Sequence, residues 1–229
     1  MVSYSLQSSR GDPIAAENRM SIYQYPNRYF DEGEIDGAML TALENACDQL
    51  YDNGVIGYYE ISKTGENPQL GHDGSTSGCD GYGLLDKFEE WLKPKNPPVG
   101  SHLLVTEYIS YGCGNLGNNG ATPFNGNWQA CVMGTELAKE FWKNGGIHEV
   151  HHNFLDNGVI SDSYIEDSQH DLGKLYCGGV NDTSPMCTSY ENKHGDHGSC
   201  SDSCSFEQAY NTTLSNCTVD AMDQTATYY

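Results

Sequence analysis

Residues 145–154 read GGIHEVHHNF, which places His148, Glu149, His151 and His152 within five positions. On a helix, at about 100° per residue, His148 and His152 lie about 40° apart and one turn above the other. Two imidazoles so placed can reach one tetrahedral ion at about 2.0–2.1 Å. Glu149 projects about 60° from His152, beside such an ion and not on it, where a carboxylate can take a proton from water. His151 points about 60° to the other side of His148, which assigns it to the surroundings of the site or to the surface. The competing reading is a solvated polar helix face. Gly145–Gly146 disfavours helix by roughly 1 kcal/mol per residue, or marks where the helix begins.

Two donors do not complete a catalytic zinc site, so a third is sought downstream. The candidates are Asp156, Asp162, Glu166, His170 and Asp171. Imidazole is the more usual partner for two helical histidines, and Asp156-Asn157-Gly158 is a turn signal that lets the chain double back. His170, in DSQHDLG, is therefore preferred, with the carboxylates Glu166 and Asp171 as alternatives.

Working outward, TELAKEFWKNGGIHEVHHNF carries helical spacing up to the motif. Upstream, MSIYQYPNRYF, VIGYYEISK and HLLVTEYIS read as strands, and WQACVM as one more. EIDGAMLTALENACDQLYDNG is an amphipathic helix, with Met39, Leu43, Cys47 and Leu50 on one face and Asn53-Gly54 as its stop. LLDKFEEWLKP is a short helix stopped by Pro94, and the Gly/Asn-rich stretch 112–127 reads as a loop. Beyond Phe154 periodic apolar positions become scarce, and only FEQAYNTTL reads as a helix. The expected fold is α+β, with three parts. A polar leader covers 1–19, and an N-terminal lobe with a twisted mixed sheet and helices covers 20–154. An irregular, disulfide-stapled C-terminal lobe covers 155–229, with a cleft between the lobes.

The chain has 229 residues, 32 acidic against 11 basic, for a formal charge of −21. Such a surface repels nucleic-acid phosphates and anionic membranes, and no run approaches the roughly 20 apolar residues of a membrane span. Calcium in the acidic loops is conceivable, although no EF-hand spacing is present. Nine cysteines without a CxxC pair point to disulfides in an oxidising compartment, and the odd one to a free thiol or a bond with another chain. Sequons at Asn181, Asn211 and Asn216 agree with export. MVSYSLQSSRGDPIAAENR has no apolar run fit for a signal peptide, so a trimmed, secreted chain is expected. Arg10-Gly11-Asp12 offers an adhesion tripeptide, and His194-Gly-Asp-His197 a second metal-binding pair, each more simply a solvated loop.

GGIHEVHHNF resembles the active-site helix of the metzincin metalloproteases, whose astacin-type members carry Gly and Ile before HExxH. His170-Asp171 resembles the third ligand and following aspartate of the adamalysin branch, and SPMCTSY places Met186 at the family's Met-turn. GSCSDSC and FEQAYNTTL resemble the cysteine-bearing stretch and closing helix of the family's lower lobe. In the family's HExxHxxGxxH, the last glycine and histidine positions are here Leu155 and Gly158, so His170 would follow an insertion like that of leishmanolysin-like members. The resemblance implies a secreted endopeptidase with one catalytic zinc on His148, His152 and His170, and Glu149 as general base. Tyr190 is the candidate transition-state stabiliser, and an extended peptide or protein substrate would pair with WQACVM or HLLVTEYIS. The rival readings are an inactive zinc-binding or adhesion protein on the same fold, and an acidic stapled matrix protein.

Overall fold

A computed structural model describes residues 2–27, 33–71, 83–107, 109–165, 168–176, 182–187, 200 and 209–229. Glu166, Asn181, Tyr190, His194 and His197 lie outside the described residues. The main sheet takes β1 (Tyr4–Gly11), β2 (Arg19–Asn27), β3 (Tyr58–Thr64), β4 (Gly100–Thr106), β5 (Gly112–Gly114) and β6 (Trp128–Gly134). Their order is β1-β3-β2-β4-β6-β5. The central pairings are parallel, and the edge strands β1 and β5 run antiparallel to β3 and β6. The stretch read as a polar leader thus contributes an edge strand. Alternating polar and half-buried residues suit an edge that faces water on one side.

The period of two along the central strands divides the core between the two faces. Leu103, Val105, Cys131 and Met133 pack with Met39, Leu43 and Leu50 of α1 (Gly33–Asp52) and with Ile147, Val150 and Phe154 of α3 (Lys139–Phe154). Leu104, Ala130 and Val132 join Tyr23, Tyr25 and the Leu84, Phe88 and Leu92 face of α2 (Leu84–Leu92) on the other side. β4 is buried along its whole length, with Ser101, His102 and Thr106 as well as its apolar Leu103, Leu104 and Val105. β2 continues past Pro26 because its pairing with β3 ends at Gln24, so no partner there needs the missing N–H. Gly54, at φ 75°, closes α1 while Val55 N–H donates to Leu50 O at 3.0 Å.

The Gly145–Gly146 pair lies inside α3 and does not start it. A Cβ at Gly145 would stand 2.7 Å from Met133 Sδ, and one at Gly146 would stand 2.4 Å from Met39 Sδ. The two glycines let the helix settle closely onto β6 and α1, and that packing outweighs their weak helix propensity.

In the C-terminal half, short strands β7 (Leu175–Tyr176), β8 (Asp182–Thr183) and β9 (Ala209–Tyr210) form a second sheet, followed by α4 (Asn216–Tyr228). The helix expected over FEQAYNTTL is corrected here: its described part, from Ala209, pairs with β8, and Tyr210 meets Phe141 edge-on at 5.1 Å. The helix begins instead after Ser215, whose Oγ accepts from Thr218 N–H at 3.0 Å. Cys200 and Cys217 form a disulfide, and Cys113 is also disulfide-bonded. Cys47 and Cys131 are thiols sealed in the core, so neither is placed to bond another chain. Leu172, Met186, Leu214, Cys217, Ala221 and Met222 belong to the same apolar cluster as α1 and α3. Among the described residues no helix is long and apolar enough to cross a membrane.

The adhesion tripeptide is not presented as a free loop. Arg10 donates to Asp48 at 2.8 Å and to Asp52 at 2.7 Å, and Asp12 Oδ1 accepts from Ile14 N–H at 2.8 Å within its own turn.

Candidate metal centre

α3 carries His148 and His152 on one face, and the chain returns to them through a short 3-10 turn, Gln169–Leu172. Ser168 Oγ caps that turn by accepting from His170 N–H at 3.2 Å, and Asp171 Oδ2 accepts from Ser168 N–H at 3.3 Å. This reciprocal capping fixes the turn that delivers His170. His152 Nε2 stands 2.9 Å from His148 Nε2 and 3.1 Å from His170 Nε2. Among the described residues this is the one His/Cys/Asp/Glu group close enough to hold a metal ion.

The other described candidates for third ligand serve elsewhere. Asp156 accepts from the N–H groups of Asn119, Gly120 and Gly158 and from Tyr229 Oη, and hydrogen bonds from these groups keep its pKa low against the opposing effect of burial. Asp171 caps its turn, and Asp162 is exposed. His151 is neither a ligand nor a surface residue. It is buried, and its Nδ1 donates to Ile147 O at 2.7 Å.

The donor set fits a cation. Burial, reinforced by the neighbouring histidines, drives the pKa of His148 well below its ordinary value and takes that of His152 down to about 4, so both stand neutral. His152 Nδ1 donates to Gln169 Oε1 at 2.6 Å, which leaves Nε2 as its lone-pair nitrogen. One lone pair can accept only one hydrogen bond, yet two other imidazole nitrogens lie against it. An ion among the three would give each lone pair a partner.

Glu149 sits beside this group, buried, and burial alone lifts its carboxyl pKa to about 8. Two cavities flank it. One, about 280 Å³, is lined by the three histidines, Gly112, Gly114, Leu116 and Gln169. The other, about 260 Å³, is lined by His148, Tyr111, Met133, Phe141, Asn144 and Tyr210 among others. A larger groove of about 650 Å³ beside Arg19, Glu60 and Tyr229 contains none of the motif residues.

Met186 lies fully buried in a tight turn at φ 73°, with Cys187 N–H donating to Ser184 O at 3.3 Å. The strands expected to pair with substrate, β4 and β6, are interior strands. The edge beside Glu149 belongs to β5, within the stretch read as loop. Gln169 and the β5 glycines were missed from sequence because a glutamine and a Gly-Cys-Gly triplet carry no spacing signal. Of the sequons, Asn216 is exposed at the start of α4, and Asn211 is half-buried with its Oδ1 accepting from Thr213 N–H at 3.0 Å. No protein-family model matches the chain and no curated protein matches it. What the chain itself shows is three histidines close enough to hold a metal ion, on a mixed α+β scaffold.

Proposed function

We propose that the chain is a secreted, metzincin-like zinc endopeptidase. The observation that carries this reading is the position of Glu149, buried next to three converging imidazoles and open to the cavities on both sides. A site that only stored a metal would have no use for that carboxylate and would be closed by a fourth protein ligand. A zinc ion held by His148, His152 and His170 would polarise a carbonyl and acidify water at the site. Glu149 accepts the proton of the attacking water and returns it to the leaving amine. Burial alone would keep its carboxyl protonated at neutral pH, and the positive charge of a neighbouring ion would lower its pKa and make it a base. An extended peptide runs along the two cavities beside Gly112, past His148 and Glu149. The Cys200–Cys217 disulfide supports an oxidising destination.

The test is metal content by mass spectrometry on protein purified without chelator, with cleavage of a broad peptide library. About one zinc per chain, lost in His152→Ala, together with cleavage abolished in a zinc-loaded Glu149→Gln, is the expected result. Zinc without cleavage of any peptide would leave a binding protein, and no zinc even after adding it back would end the reading.

A further inference from the structure

Gln169 precedes the third histidine, and its side chain turns towards the second. Its Oε1 accepts from His152 Nδ1–H at 2.6 Å, and its Nε2 donates to Leu155 O at 3.2 Å and faces Asn118 Oδ1 at 3.5 Å. The two acceptors around Nε2 fix which end of the carboxamide faces the imidazole. Gln169 is 2 % exposed, so water does not compete for that bond. The capped turn that brings His170 to one side of His152 therefore brings Gln169 to the other.

We infer that Gln169 is a positioning residue of the metal site, locking His152 in the Nδ1–H tautomer and aiming its Nε2 at the point shared with His148 and His170. The inference rests on the metal reading above and deepens it. A neutral imidazole that can exchange its proton between nitrogens spends part of its time with Nε2 blocked. An acceptor on Nδ1 removes that state, holds the ring plane and raises the donor strength of Nε2. The adjacent pair Gln169-His170 thus supplies one ligand and orients another, so one short turn completes the site.

The alternative role is purely structural, a tie from the turn to the end of α3 through Leu155 O. Two substitutions separate the roles, because Gln169→Glu keeps the acceptor oxygen while Gln169→Met removes it, and both lose the donation to Leu155 O. Zinc affinity is read by competition with a chromophoric chelator, independently of any cleavage assay. Gln169→Met is expected to bind zinc about ten- to a hundredfold more weakly, and Gln169→Glu within about threefold of wild type. In addition, ¹⁵N NMR of the metal-free wild type should show His152 protonated on Nδ1, a readout that needs no variant to fold. Equal affinity of Gln169→Met and wild type, equal loss in both variants, or an Nε2-protonated His152 would each overturn the inference. A wild type that takes up no zinc would overturn the metal reading itself, and the inference with it.

Discussion

Gly112→Ala tests whether the position of Glu149, and not merely its presence, sets the chemistry. A Cβ at residue 112 would stand 2.5 Å from Glu149 Oε1, 2.7 Å from Cγ and 2.9 Å from Cδ. Rotating the carboxylate alone cannot relieve this, because Cγ is also too close. The side chain must move by roughly 1 Å, and a displacement of that size at a reacting group can lower the rate about a hundredfold. That corresponds to about 2.7 kcal/mol of transition-state stabilisation. The three atoms nearest that Cβ all belong to Glu149 and none to an imidazole, so zinc content should remain that of wild type. The assay is kcat/KM on a cleaved peptide, with zinc stoichiometry measured on the same sample. Undiminished kcat/KM at full zinc loading would refute the reasoning, showing either that β5 gives way or that Glu149 does not take the proton.

His102 offers a stability test away from the site. It is buried between Tyr25 Oη, at 2.7 Å from Nδ1, and Pro98 O, at 2.9 Å from Nε2, and burial lowers its pKa from 6.5 to about 4. The unfolded chain takes up this proton first, so the associated stability is complete above pH 6.5 and is lost as pH falls towards 4, by about 3 kcal/mol. Denaturant titrations between pH 7 and 4 should show a smaller loss in His102→Gln than in wild type, and identical slopes would refute the assignment. Gly173→Ala should unfold the turn that carries Met186, because its Cβ would stand 2.3 Å from Cys187 N and 2.5 Å from the Met186 carbonyl carbon. The backbone must shift, so a loss of about 2–3 kcal/mol by chemical unfolding is expected, and a loss under about 0.5 kcal/mol would contradict it.

The parts of the site legible in sequence are those set by local geometry. His148 and His152 share a face because any helix places residues four apart on one side, and the apolar positions of α1 made that helix readable. The start of α3 was less so, since nothing in the sequence says that Met133 and Met39 lie against Gly145 and Gly146. Likewise β5 exists through its pairing with β6, not through the propensity of Gly112-Cys113-Gly114, which favours a loop.

The third histidine of the group shows why residue type was more informative than spacing. Carboxylates near turns have a local use, capping free N–H groups, and Asp156 and Asp171 are both occupied in that way. The reciprocal cap between Ser168 and Asp171 gives His170's side chain no part, and it points instead at the helix pair. Of Asp156, Asp171 and His170, the imidazole is the one whose presence the turn does not already explain. The same argument fails for Gln169, a residue as common in caps and on surfaces as in sites. Its role follows only from the 2.6 Å contact with His152, which no spacing along the chain encodes.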